Sequence, residues 1–600
     1  MERWLLILNH KKGNKYFLIV KCKYMKLAFK HFYFITIIMF NIMFVQFVNA
    51  ASITVNSIAN LQLALNNAAS GDTISLANGT YLNNVININR NGITVRAVTP
   101  GGVYLNGTND ININGNNNNF VGFQFTAGDI GTAYLIEVYG SNNVLSHLNF
   151  SGYFAKKYIE IKAGSQYNQV AYCNIEKKPL TAELGCTIQV STSPTVPGYH
   201  RIRYCSFQNF YGLGGDNGNE PVRIGLSTES TNSARDIVEF CYFNNTGDGD
   251  SESVSIKSRD NTVRFCTFTN QQNAMLCFRN GDNNVAYSNF FINAGGIRVK
   301  EANNIFCYNN YFQNSGVGSS ADAVTYVYYT VNSTNVLNNV NFFHNTFYNC
   351  GFIDLGGVGA VNNTWANNIF VKSSGSIFNN KNNGTTWTGN MYQGTLGITI
   401  ASGMANTNPA LALNSDGYFG LTATSPAINA SSSAYPAIYD IPSVDDDNTL
   451  SFDISGQARP TLAAQKDVGC DEFTTGSTTN RPLTLLNVGP CYLGGPQGPC
   501  PGVPTPIQNI NFTKNYSIVV FPNPAANSIQ LQLKQNLTTS FKVSICNLQG
   551  QVVKTFIAAP NSSTGSNSFT YSVADLKNGT YFIKVITNQF SETTKFVIQK

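Results

Sequence analysis

The sequence predicts an all-β chain: a right-handed parallel β-helix followed by a small C-terminal β-sandwich. Three observations point there: a repeated unit, a composition poor in charge, and a change of pattern near the C-terminus. The strings "NNFVGFQF", "NVLSHLNF", "NQVAYCNI", "RIRYCSF", "IVEFCYF", "TVRFCTF", "NVAYSNF", "FCYNNYF", "FFHNTF" and "WANNIF" share an apolar run, a marked position, one variable residue and then an aromatic or aliphatic one. The marked positions are Phe123, Leu148, Cys173, Cys205, Cys241, Cys266, Ser288, Asn310, Asn345 and Asn368, separated by 25, 25, 32, 36, 25, 22, 22, 35 and 23 residues. A β-rich unit of 22 to 25 residues with Asn/Gly corners suits one coil of a solenoid, stacked so that like residues form ladders. The longer separations place surface loops in three coils. No leucine consensus or Trp-Asp signature supports a horseshoe or a propeller. Charged residues make up 12% of the chain, about half the usual share, as ladders of uncharged polar and β-branched residues require.

The first element is residues 1–50, an upstream extension plus an export signal. "MKLAFKHFYFITIIMFNIMFVQFVNA" runs from Met25 through Lys26, Lys30 and an apolar stretch to a cleavage site at Val48-Asn49-Ala50. The alternative is a membrane anchor; the expectation is no stable membrane span once the signal is removed. This segment carries eight Lys/Arg against one Glu, so the net charge of +6 falls to −1 without it. Residues 517–600 add seven Lys and two acids, which leaves about −6 on the body and speaks against a nucleic-acid partner. Residues 51–475 are the β-helix. The marked cysteines should be buried free thiols, whereas Cys491 and Cys500 in "CYLGGPQGPC" are candidates for a disulfide. Residues 476–516 are Gly/Pro/Thr-rich and read as a linker. Residues 517–600 alternate like a small sandwich. With Pro522-Asn523-Pro524, Asn547, Gly550 and Gly579-Thr580-Tyr581, this segment resembles the C-terminal sorting domain of the type IX secretion pathway of Bacteroidetes. That resemblance implies the type IX machinery as a partner and a secreted or cell-surface location.

Against so sparse a background, "DGDSESVSIKSRDN" at 248–261 concentrates six charges in fourteen residues. Lys257 and Arg279 are 22 residues apart, one coil, and each precedes a marked position by nine, so they should stack on neighbouring coils. Two adjacent cations make sense if an anion sits against them. If Ile256 points inward, Lys257 points out. Strict alternation would then turn Asp250 and Glu252 inward, at a cost no core tolerates for unpaired carboxylates. A corner or bulge is therefore expected between Glu252 and Val254.

Two outward carboxylates and a nearby amide oxygen, for which Asn217 is the candidate with Asn219 as its rival, make a hard-oxygen cluster suited to Ca²⁺. Few histidines, no HExxH and no GxSxG argue against transition-metal or serine chemistry. Ca²⁺, Lys and Arg in a groove fit β-elimination on a uronic acid. There the metal neutralises the C6 carboxylate, a neutral lysine removes the C5 proton and the C4–O bond breaks. A lysine ordinarily titrates near 10.4, so it must be lowered by several units to serve as base.

The motifs "NGNEPVRIG" (217–225), "DSESVSIKSRDN" (250–261) and "LCFRNGDNN" (276–284), with "GGIRV" (295–299), resemble polysaccharide lyase family 6, which includes alginate lyases and chondroitinase B. The resemblance covers about residues 51 to 475. It implies Asn217, Asp250 and Glu252 as calcium ligands, Lys257 as base and Arg279 as the catalytic arginine. Arg223, Arg298 and Asn280 are candidates for substrate contacts. Two positions depart from the family: Asp250 stands where Glu is usual, and Asn280 where many members have His. The expected substrate is an anionic uronate polymer, alginate first, because no arginine occurs between Val299 and Ala458 to grip sulfates. A dermatan sulfate lyase and a non-catalytic polysaccharide-binding β-helix or adhesin are the alternatives.

Overall fold

The structure is a computed structural model. It describes residues 50–600 apart from 181–184, 213–217, 248–251, 318–322, 328–336, 357–359, 380–383, 440, 442–449, 475–477, 497–517, 538–539, 548–551, 559–565 and 587–590. The expected export signal, Asn217, Asp250 and Cys500 lie outside the described residues. No helix among the described residues is long and apolar enough to cross a membrane.

Short parallel strands pair coil to coil in three ladders, which confirms the parallel β-helix. One is a sheet of 14 strands, with Arg201–Arg203 beside Ile237–Glu239 and Thr262–Arg264 beside Val285–Tyr287. A second ladder contains Glu220–Ile224, Glu252–Ile256, Met275–Arg279 and Ile297–Lys300. A third contains Ser206–Phe210, Tyr242–Thr246, Thr267–Gln271 and Phe290–Ala294. Alternation points one set of each strand's side chains inward, so like residues stack into a continuous core. Phe207, Phe243, Phe268, Phe291 and Phe312 lie ring on ring, with centroids 4.7 to 4.8 Å apart, one strand spacing. The helix Ile58–Asn67, N-capped by the Ser57 hydroxyl, buries Leu61 and Leu65 near the start of the solenoid.

The marked ladder holds with one correction. Cys173, Cys205, Cys241 and Cys266 are buried free thiols, as expected. In the next coil, however, the ladder takes Asn289 rather than Ser288. Asn289 Oδ1 accepts the Cys266 amide at 3.0 Å, and Ser288 sits at the corner with φ 53°. From there Asn310, Asn345 and Asn368 continue, each carbonyl accepting the backbone amide one coil earlier at 2.9 to 3.1 Å.

Past the coils, the chain turns back along the solenoid. Cys470 N donates to Thr346 Oγ1, Leu483 N to Thr267 Oγ1, Gly489 N to the Tyr204 carbonyl and Cys491 N to His147 Nδ1. The stretch read as a linker therefore contains a packed return segment. Cys491 is disulfide-bonded. The C-terminal unit is a small antiparallel sandwich, as expected. Ile518–Phe521, Ser528–Leu537 and Ser566–Ser572 form one sheet, and the strands around Phe541–Cys546 and Gly579–Ile586 the other.

Candidate active site

The second ladder brings most of the expected residues together. Val222, Val254 and Leu276 fill the core, and the residues between them face outward in rows. Arg223 pairs with Ser255, Ser255 with Cys277 and Cys277 with Arg298. Ile256 pairs with Phe278, so Lys257 follows beside Arg279, and Arg279 pairs in turn with Lys300. Three cations thus occupy one row over three coils. Gly225, at φ +75°, stands next to Lys257 on the preceding coil; a Cβ there would come within 3.0 Å of Ser258 and 3.2 Å of the Lys257 carbonyl carbon.

The register shifts between Glu252 and Val254, where the break was expected. Ser253 is the extra residue, and the bulge re-aims Glu252 towards the outward side chains. Glu252 is nevertheless only 1% exposed. Arg279 Nη1 donates to its Oε1 at 2.9 Å, the Ser255 hydroxyl donates to Oε2, and Lys257 Nζ lies 3.9 Å away. Burial alone would raise its pKa, but Lys257, Arg279 and the Ser255 hydroxyl together hold it below the usual carboxylate range.

Glu220, which the sequence reading passed over, completes the cluster. Its Oε1 lies 3.8 Å from Lys257 Nζ and 3.5 Å from Arg223 Nη1, so the lysine is flanked by two carboxylates. Among the described residues, the Glu220 Oε2 and the Oδ1 of Asn219 are buried without a hydrogen-bond partner. Asn219 is in the left-handed region, φ 70°, and donates its Nδ2 to the Tyr211 carbonyl at 2.7 Å. Near Glu220 stands Lys178, 3% exposed and, among the described residues, without a hydrogen-bond partner for Nζ; burial pushes its pKa down to about 8 against the opposing pull of Cys186 and Glu220.

The candidates for substrate contacts are differently placed. Arg223 is buried, donates Nε to Gln189 Oε1 at 2.6 Å and braces Glu220. Arg298 is 9% exposed in the row beyond Cys277. Asn280, at φ 65°, donates its amide to Glu301 Oε2 at 2.6 Å. Glu220 lay inside a quoted motif, and Lys300 follows Arg279 by 21 residues, about one coil, which would have singled it out.

Lys257, Arg279 and Lys300, with Glu220 and Glu252 beside them, give this ladder a charged outward face, and a solenoid extends such a face along its coils. The chain belongs to the chondroitinase B family, whose family model matches residues 55–362. Residues 519–599 match the secretion system C-terminal sorting domain. Among solved structures, the PL6 family alginate lyase AlyGC is similar at a TM-score of 0.56 and 23% identity, over 62% of this chain and 56% of that one. A PL6 alginate lyase in complex with a trisaccharide gives 0.51 and 19%, over 62% and 91%. A mannuronic acid specific family 6 lyase from human gut microbiota gives 0.50 and 24%, over 57% and 86%. These likenesses show the fold, and this chain spans little more than half of AlyGC. None of the curated proteins matches.

Proposed function

We propose that this protein is an exported, calcium-dependent polysaccharide lyase that cleaves a uronic-acid polymer, alginate first, by β-elimination. The observation that carries the reading is Lys257: its amine lies between Glu220 and Glu252, with Arg279 beside it in register. In the proposed reaction Lys257 takes the C5 proton of the uronate and a C4=C5 double bond forms. The C4–O bond breaks, and the leaving oxygen receives a proton from water. Arg279 binds the sugar carboxylate and stabilises the charge that develops there.

The residues suit a hard cation. Glu252 together with Asn217 and Asp250 would hold Ca²⁺, and the orphaned oxygens of Glu220 and Asn219 are further donors of the right kind. Bound there, the cation would neutralise the acids around Lys257 and the sugar carboxylate, which makes C5–H more acidic. The sorting domain supports export by the type IX machinery. Alginate is favoured by the arginine-free coils from Val299 to Ala458 and by the alginate lyases among the structural neighbours. The family description favours a second reading, a chondroitin- or dermatan-type polymer.

The test is product analysis by mass after incubation with alginate, with its mannuronate-rich and guluronate-rich fractions and with dermatan sulfate, each with calcium or chelator. Elimination leaves oligosaccharides one water lighter than hydrolysis would. Such products from alginate, absent with chelator, are the expected result. Products from dermatan sulfate alone would overturn the substrate, and intact polymers throughout would overturn the lyase.

A further inference from the structure

The corner that leads from the catalytic ladder to the first sheet is an asparagine ladder with one interruption. Its left-handed residue is Asn117 and Asn142 in earlier coils and Asn283 and Asn304 in later ones, with Asn304 Nδ2 donating to Asn283 Oδ1 at 2.9 Å. Between them the position holds Tyr167, Tyr199, Arg235 and Asp260, at φ 57°, 52°, 58° and 64°. Asn and Asp suit this conformation; Tyr and Arg do so less well, so backbone geometry does not explain their presence.

The interruption is itself organised. The rings of Tyr167 and Tyr199 stack with centroids 5.0 Å apart and planes 7° from parallel. Arg235 donates Nη1 to the Tyr199 hydroxyl at 2.7 Å and lies 5.6 Å from that ring's centroid. Its Nε goes to Ser233 Oγ, and it has no carboxylate partner among the described residues. By contrast Arg201, Arg223, Arg259, Arg264 and Arg279 are all ion-paired.

The opposite corner shows what this chain does with stacked aromatics it means to cover. His147, Tyr172 and Tyr204 also stack, at 5.3 and 4.9 Å, and the return segment closes onto His147 and Tyr204. His147 and Tyr172 are left 4% and 8% exposed, whereas Tyr167 is 49% exposed. Two inserts separate this open stack from the catalytic face in the chain. Residues 192–198 and 226–232 are tied together where Thr192 N and Oγ1 donate to Glu229 Oε2 at 3.0 Å, and Gln166 Nε2 holds the first at the Pro197 carbonyl.

We propose that Tyr167, Tyr199 and Arg235 form a second saccharide-binding platform, outside the catalytic groove, for a uronate-bearing stretch of polysaccharide. Sugar rings present C–H faces that pack on flat aromatic surface, and an arginine with no carboxylate partner among the described residues supplies a fork for the sugar's carboxylate. The platform would hold the polymer while another stretch enters the groove. This rests on the uronate-polymer reading above.

The ladder itself supplies the variants, because Tyr167→Asn, Tyr199→Asn and Arg235→Asn restore the residue its neighbours use at this φ. Full-length protein carrying Lys257→Ala, to prevent turnover, is run in native gels containing alginate or dermatan sulfate. Adding Tyr167→Asn with Tyr199→Asn, or Arg235→Asn, is expected to weaken retention about five-fold or more. With Lys257 intact, the same changes raise KM on long polymer and leave kcat on a short oligosaccharide unchanged. Unchanged retention and unchanged KM would overturn the platform, as would a parent protein that neither polymer retards. Retention that the Asn variants abolish, in a protein forming no unsaturated ends, would keep the platform and overturn the lyase.

Discussion

Glu252 is nearly inaccessible, yet the groups around it keep its carboxylate charged. Arg279, Lys257 and Ser255 replace the water it has lost. Glu252→Gln would leave two cations facing each other across an amide. The expected loss is roughly 3 kcal/mol, the low end for breaking a buried pair because Arg279 keeps some exposure; the denaturant midpoint of full-length protein measures it. An unchanged midpoint would mean that the pair contributes nothing. This part of the site was legible, since alternation put two acids on the wrong side of the strand and the cost of burying them demanded a break before Val254. Glu220 was not legible. It is a single acid 32 residues from Glu252, brought to Lys257 only by the pairing of Val222 with Val254.

Among the elements, the buried amide ladders carry the coil-to-coil register. Asn118 N donates to Asn143 Oδ1, Asn143 N to Asn168 Oδ1 and Asn261 N to Asn284 Oδ1, at 2.8 to 2.9 Å. Midway, His200 and Asp236 stand in, with Asn168 N donating to His200 Nδ1 at 3.1 Å and His200 N to Asp236 Oδ1 at 2.7 Å. Asp236 Oδ2 has no hydrogen-bond partner among the described residues, and burial pushes this carboxyl well above its ordinary range. A raised carboxyl pKa means that the folded state binds the proton more tightly, so its stability falls as pH rises above about 4. Asp236→Asn keeps the accepting oxygen and removes that penalty. Melting temperatures at several pH values should show the variant more stable, by about 1 kcal/mol or more at neutral pH, with the gap widening as pH rises. A gap that narrows would refute the assignment. Counting along the sequence found these coils but misplaced Ser288, because coils of 22 and 23 residues differ by less than the pattern can resolve. The strand register, with Thr267 opposite Phe290, and the amide of Cys266 identify Asn289 as the ladder residue.

At the scale of the molecule, the solenoid is secured from outside by its own return segment. Its contacts bridge more than a hundred residues of sequence and leave no periodic signal, so Gly and Pro made the stretch read as a linker. A chain ending at 475 loses the hydrogen bonds of Leu483, Gly489, Cys491 and Tyr492 to the coils, whereas one ending at 500 keeps them. At about 1 kcal/mol each, the shorter chain should be less stable by roughly 2–4 kcal/mol, and calorimetry on the two compares them directly. Equal melting would show that the segment only lies on the surface. In the proposed function the charge gathered on this face serves an elimination with Lys257 as base. The measurement that tests it most directly is the ultraviolet absorbance of new unsaturated uronate ends, followed on alginate with calcium for full-length protein and for Lys257→Ala. We expect a steady rise with the first protein and a loss of about a hundred-fold or more with the second, while the variant still binds alginate. A variant that matched the parent would contradict it.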